Sequence, residues 1–361
     1  MLLSLSGILQ GVTPLVVALR QQFEQLEGAA EQLNWLGRQR LLGVAGLLAE
    51  RGLIPEQAAS VGMLLAKTGR LVPEAQMREE ARVLTAFVEA GLRVLPLKGC
   101  LLAYLVYELP DQRPRLDQDL LVAPEHLEEA REVLRALGYR LLWATAGGTP
   151  MEQEMWLYRA DGKRWAVDLH WDLRDHPLLR KTFGFDEQWQ ASIALDRLAP
   201  GVRGQSPVHA LLNAALHWFD DLYDSPRPLV WLLDQDLLWR QMSDEQQIEC
   251  RNLARKRGVA GLLAECLRLT RAVFDTPVPD FVLADLVHAG HTQPATRLID
   301  VAGPLQAWWL AVRCEPDLAA RINRVRQSLL PSTAHMRERY PEGSKLGLPG
   351  MYWRRLRRRL G

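Results

Sequence analysis

Cysteine is scarce in this chain: Cys100, Cys250, Cys266 and Cys314 are the only four in 361 residues, and no two stand at CxxC or zinc-ligand spacing. That excludes a disulfide scaffold and points to a reducing cytoplasm without structural zinc. Excess charge is missing as well. Lys and Arg number 44 against 43 Asp and Glu, a formal net charge of +1, so no global field attracts a polyanion or an anionic membrane. Long apolar runs are absent: residues 1–19 precede the first charge, Arg20, but are broken by Ser4, Ser6, Gly7, Gln10, Gly11, Thr13 and Pro14. The stretch predicts neither a membrane span nor a secretory signal but a soluble helical start, with Pro14 opening a helix through Gln22. Repeats of 20 to 50 residues, a GxxxxGK[ST] loop and a GxGxxG turn are all lacking.

The 48% of hydrophobic residues suffices for a sizeable core, and 361 residues is long for a single one. From Leu15 to Gly91 apolar residues recur at three and four, with Gly52, Gly69 and Gly91 as stops and Pro55 and Pro73 in first turns. The period then shortens. Arg93–Leu97, Leu116–Val122, Tyr139–Trp143, Met155–Arg159 and Trp165–Leu173 have strand length, and Asp161-Gly162 is a hairpin signal. A helix-like pattern covers Gly99–Tyr107, and another starts at Pro124 and stops at Gly138. Beyond Ser206-Pro207 the chain reads as helical to about Leu330, with Ser243 and Gln246 as a capping box. A linker over 331–349 leads to a segment with five arginines between Trp353 and Leu360. The expected organisation is an N-terminal helical region (1–91), a mixed α/β core (92–200) and a C-terminal helical domain with a basic tail (201–361), an α+β fold overall.

The hexapeptide LDQDLL occurs twice, at 116–121 and 233–238. In a strand, residues i and i+2 share a face about 6 to 7 Å apart, so two carboxylates converge on one cation. In a helix the same spacing turns through about 200° and separates them. The first copy lies between Pro114 and Pro124, too short a span for a helix, so Asp117 and Asp119 are expected to share a face. The second belongs to a buried helical stretch, where Asp234 and Asp236 cannot chelate together. Alternation in WAVDLHW (165–171) puts Trp165, Val167, Leu169 and Trp171 on a packed face and Asp168 with His170 on the other. Asp168 is the candidate third carboxylate; an ordinary half-exposed strand is the competing reading. Lys98-Gly99, after a strand and at the start of a helix, suits a phosphate, although Lys98 by itself reads as a surface charge.

LPLKG (95–99), R-P-x-x-D-x-D-L-L-V (113–122) and V-D-L-H-W (167–171), in that order, resemble the uncharacterised nucleotidyltransferase family of the DNA polymerase β-like superfamily. A helical lead-in, a helix with His209 and His217, the Trp231–Asp234 segment and the arginine-rich end extend the resemblance over most of the chain. It implies a small mixed sheet flanked by helices, with Asp117, Asp119 and Asp168 as catalytic ligands of two Mg²⁺ ions. The implied reaction carries a nucleotidyl group from a nucleoside triphosphate such as ATP to a hydroxyl and releases pyrophosphate. Lys98 and Gly99 stand where the superfamily more often has Gly-Ser. They, with Arg113 and His170, are the expected nucleotide-binding residues, Arg113 reading equally as an ion-pair partner of the aspartates and His170 as an orienting group for Asp168. His209 and His217 read as packed helix residues. The acceptor is open: a small molecule, a protein side chain or an RNA end. A nucleotide-binding or regulatory protein without turnover is the alternative. Binding to nucleic acid rests on window 337–361, where eight cations face Glu338 and Glu342; a terminal helix laid on the protein competes with it. No membrane partner is expected.

Overall fold

The computed structural model describes residues 26, 29–42, 44–45, 71–144, 153–160, 162–174, 176–220, 227–301, 303–329, 347, 350 and 353. The expected start at Pro14, the stops at Gly52 and Gly69, Pro55, Asp161, the 331–349 linker apart from Gly347 and the tail arginines lie outside them. Helices α1 (Ala29–Arg38) and α2 (Leu71–Glu89) precede β1 (Val94–Pro96), α3 (Lys98–Leu105) and β2 (Gln118–Val122). Then come α4 (Leu127–Ala136), β3 (Arg140–Ala144), β4 (Gln153–Ala160), β5 (Lys163–His170), α5 (Phe185–Gln190) and a short ribbon of β6 (Ile193–Ala194) and β7 (Arg203–Gly204). The rest is helical: α6 (Pro207–Asp220), α7 (Val230–Gln241), α8 (Asp244–Lys256), α9 (Ala260–Phe274), α10 (Asp280–Gly290), α11 (Pro304–Cys314) and α12 (Leu318–Leu329). The fold is α+β, and among the described residues no helix is long and apolar enough to cross a membrane.

Several boundaries fall where local chemistry puts them. Gly91 and Gly138, at φ +70° and +86°, end α2 and α4 in the left-handed region that glycine enters without penalty. The Ser206 hydroxyl accepts the His209 N–H at 3.3 Å and so caps α6. Ser243 and Gln246 cap α8 reciprocally, as their spacing predicts. The ribbon β6–β7 has no counterpart in the sequence reading, because two-residue strands carry no periodicity.

The five-stranded sheet has the order β1-β2-β5-β4-β3. Only β2 and β5 are parallel neighbours, and their register sets Asp119 beside Asp168. Each strand sends alternate residues to opposite faces. Val94, Leu120, Val122, Val167 and Leu169 join an apolar cluster that continues through Leu36, Phe87, Leu211, Trp239, Leu267 and Phe274, so all three stretches of the chain share it. The opposite face is covered by Leu95, Leu97, Leu121, Ala123 and Phe185. Asp119, Asp168 and His170 stand on that second face, at the ends of β2 and β5. Strand β2 begins at Gln118 rather than Leu116: its first rung pairs Gln118 with Val167, and Leu116 is 79% exposed. Asp117 therefore occupies a bend just before the strand.

Helices α9 and α10 cross where Gly261 meets Gly290. A Cβ at Gly290 would lie 2.5 Å from the Gly261 Cα and 2.8 Å from its N, backbone atoms that cannot rotate away. Gly290→Ala is expected to lower stability by about 1 to 3 kcal/mol through overpacking, read as a lower denaturant midpoint; an unchanged midpoint contradicts this contact.

Candidate active site

A cavity of about 430 Å³ opens over the ends of β2 and β5. Its wall takes Lys98 and Gly99 from α3, Arg113, Arg115, Asp117 and Asp119 from the segment entering and forming β2, and Asp168 and His170 from β5. All seven residues singled out in the sequence as catalytic or nucleotide-binding line this one space. Helix α6 adds Ala210, Asn213, Ala214 and His217, at the i, i+3, i+4, i+7 spacing of one helical face, and α7 adds Trp231 and Asp234.

Among the described residues Asp119, Asp168 and His170 form a group that could hold a metal ion, each offering one ligand atom within 4.8 Å of the others. The compact trio thus includes the imidazole, whereas Asp117 stands beside it. Asp119 is buried, its Oδ1 accepting from Lys98 Nζ at 2.6 Å and from His170 Nε2 at 2.9 Å. Burial alone would raise this carboxyl, but the Lys98 ammonium and the His170 bond outweigh it and hold Asp119 below the usual carboxylate range. An ionised carboxylate only accepts, so the ring proton between them belongs to Nε2. His170 is pushed below its ordinary pKa by burial, against the pull of Asp119, and is neutral at pH 7. Lys98 remains an ammonium, since Asp119, Asp117 and Asp168 together outweigh its burial. Its backbone is left-handed, φ +46°, an uncommon conformation for a residue with a Cβ that aims the side chain at Asp119.

The carboxyl of Asp117 is pushed up to about 6, first by burial and then by the Asp119 charge, with Lys98, Arg40 and Arg113 pulling the other way. The folded protein holds this proton more tightly than the unfolded chain does. Ionised Asp117 therefore costs stability fully above pH 6 and not at all once pH falls below the ordinary carboxylate value of about 4. In metal-free buffer Asp117→Asn is expected to be more stable than wild type by about 1 to 2 kcal/mol at pH 7.5, discounting for a half-buried group, and equal to it near pH 4. Thermal melts at the two pH values check this, and a variant destabilised at pH 7.5 refutes it.

Arg113 and Arg115 flank the Asp pair but point away from it. The Arg113 fork grips Asp234, Nε to Oδ1 at 2.8 Å and Nη2 to Oδ2 at 2.7 Å, where Tyr107 also donates at 2.7 Å. Arg115 grips Glu80 of α2 through Nε and Nη2, each at 2.5 Å, and Tyr104 donates to the same carboxylate at 3.0 Å. The second LDQDLL copy is helical, as expected. Asp234 faces Arg113, whereas Asp236 faces Arg240 and Thr276. The two histidines of α6 also part: the His217 ring centroid lies 4.3 Å from that of Trp231 in the cavity wall, whereas His209 bonds Ser206 and approaches Glu187 at 3.6 Å.

Glu80, Arg174, Asn213 and the pairing of Arg113 with Asp234 were not anticipated from the sequence. A polar stripe, Asn213 and His217 on a largely apolar helix, is the available signal for α6; Arg174 carries none. The model of a family described as an uncharacterised nucleotidyltransferase matches residues 31–275, which include every residue of the cavity wall. No curated relative and no solved structure matches. With a match over more than half of its length, the chain belongs to this uncharacterised nucleotidyltransferase family.

Proposed function

We propose that the protein is a Mg²⁺-dependent nucleotidyltransferase of the polymerase β-like kind, moving a nucleotidyl group from a nucleoside triphosphate to an acceptor hydroxyl. The observation that carries this reading is the cross-strand pair Asp119 and Asp168, joined by His170 within 4.8 Å. Two carboxylates and one neutral imidazole are a donor set that fits a divalent cation, their oxygens suiting Mg²⁺ or Mn²⁺. Asp119 and Asp168 would hold one ion, His170 joining them through Nε2 once its proton has shifted to Nδ1, and Asp117 is the additional carboxylate that a second would require. When bound, such ions neutralise phosphate charge and make a coordinated oxygen easier to deprotonate.

The chain's own groups divide the remaining work. Asp168 takes the acceptor's proton as the acceptor oxygen bonds to the α-phosphorus. The bond from that phosphorus to the bridging oxygen breaks, and pyrophosphate leaves with the electron pair. His170 and Lys98 keep Asp119 ionised and oriented. Gly99 lets the phosphates approach the first turn of α3, where a Cβ would stand 3.1 Å from the Arg115 Cβ and 3.5 Å from Arg113 Nη1. Ala210, Ala214 and Trp231 leave room opposite for the nucleoside or the acceptor.

The test is nucleotide binding with and without Mg²⁺, followed by pyrophosphate release with small hydroxylic compounds, proteins and RNA ends as acceptors. Binding that needs Mg²⁺, with release in one acceptor class, is the expected result. Failure to bind any nucleoside triphosphate overturns the reading, and tight binding without release in any class makes the protein a nucleotide-dependent regulator.

A further inference from the structure

Five lysine and arginine side chains line the cavity: Arg40, Lys98, Arg113, Arg115 and Arg174. Three of them have a carboxylate of their own, Asp119 for Lys98, Asp234 for Arg113 and Glu80 for Arg115. Arg40 is half-buried. Arg174 is different. Only 5% of it is exposed, yet among the described residues no carboxylate lies within ion-pair distance of its guanidinium. Its partners are neutral: Nη2 donates to the Asn213 carbonyl and to Asn213 Oδ1, both at 2.8 Å, and Nη1 to the Leu173 carbonyl at 3.0 Å, while Nε finds no acceptor.

Those partners are themselves fixed. Asn213 Nδ2 donates to Gln188 Oε1 at 2.9 Å, and Gln205 Nε2 donates to the same oxygen at 2.5 Å. A network of amides thus aims the guanidinium without neutralising it. Asp220, Asp172 and Asp119 contribute their fields, but burial outweighs all three and lowers the Arg174 pKa. A buried cation without a counter-ion costs several kcal/mol in a protein interior. A planar donor fork facing a substrate cavity is the geometry that phosphate groups satisfy.

We infer that Arg174 is the residue that receives the distal phosphates of the nucleoside triphosphate, the portion that leaves as pyrophosphate. The inference rests on the nucleotidyltransferase reading and adds to it the group that separates triphosphates from monophosphates. Asp119, Asp172 and Asp220 in the same wall repel a bare polyanion, so Arg174 contributes to affinity only when Mg²⁺ accompanies the phosphates.

The test is a ladder of affinities with Mg²⁺ present, for adenosine mono-, di- and triphosphate and for inorganic pyrophosphate, which needs no base preference. Wild type, Arg174→Gln and Arg174→Met are compared. Methionine removes the charge at similar volume but leaves the Asn213 and Leu173 oxygens without this donor, whereas glutamine keeps an amide donor for them, so the pair of variants separates the charge from the hydrogen bonds. In wild type the affinity rises from mono- to triphosphate. In both variants the rise is expected to flatten and pyrophosphate to bind about 10- to 100-fold more weakly, whereas Mn²⁺ affinity without nucleotide stays within about twofold of wild type. An undiminished ladder in either folded variant overturns the inference and leaves the nucleotidyltransferase reading standing, as does an equal loss for mono- and triphosphate, which marks a structural role. If wild type binds neither pyrophosphate nor triphosphate, the parent reading fails instead.

Discussion

Asp168→Asn is expected to cut pyrophosphate release by about a thousandfold or more, the kinetic equivalent of about 4 kcal/mol of transition-state stabilisation. The substitution keeps the shape and one oxygen but removes the negative charge, which in the proposed mechanism serves both as a cation ligand and as the acceptor of the attacking hydroxyl's proton. Asp168 is half-buried and sits directly across from Asp119 on the neighbouring strand. An uncharged side chain there leaves the sheet intact, so the thermal midpoint should hold. Asp119→Asn is expected to lose as much activity and, in addition, to release Lys98, whose ammonium sits 2.6 Å from the carboxylate. Single-turnover measurement of pyrophosphate release separates chemistry from product departure. A folded Asp168→Asn protein within tenfold of wild type removes this carboxylate from the mechanism.

The reason Asp119 and Asp168 were legible in the sequence is that alternation is a local property. In VDLHW, the packed Val167 and Leu169 dictate that Asp168 and His170 face the other way. The meeting of the two strands was not legible, because a parallel pairing between residues 49 apart depends on the crossover through α4, β3 and β4. The resemblance in motif order supplied that step. The expectation that Asp117 and Asp119 alternate along one strand captured their shared destination but not the bend that delivers Asp117. His170, expected to donate to phosphate or to orient Asp168, bonds Asp119 and falls in the candidate metal-holding group, since a nitrogen two residues from Asp168 reaches across to the adjacent strand. Arg113 had two readings, phosphate ligand or ion-pair partner of the nearby aspartates. It is an ion-pair partner of an aspartate 121 positions away. Such contacts are set by tertiary packing and leave no trace in spacing.

That distant pair gives the largest expected loss of stability. Arg113 and Asp234 are each almost wholly buried, and Tyr107 completes the site with its hydroxyl. Asp234→Ala strands a guanidinium that has already lost its water, and removing one member of a buried pair costs about 3 to 5 kcal/mol. Asp234 belongs to the second copy of LDQDLL, helical and unable to chelate with Asp236, yet it fastens the first copy by holding the arginine four residues before Asp117. Glu80 does the same from α2 by holding Arg115. The bend carrying Asp117 is thus clamped from both helical flanks, and loosening either clamp should weaken metal binding as well as the fold. Charge and cavity contributions separate in the double variant Arg113→Met with Asp234→Leu, which removes both charges and fills the space. It should recover most of the stability lost in Asp234→Ala, because a buried ion pair is often matched by apolar side chains of similar volume. Denaturant midpoints decide between these outcomes: a double variant as unstable as the single one means that packing around Tyr107, and not the stranded charge, holds α7 against the site.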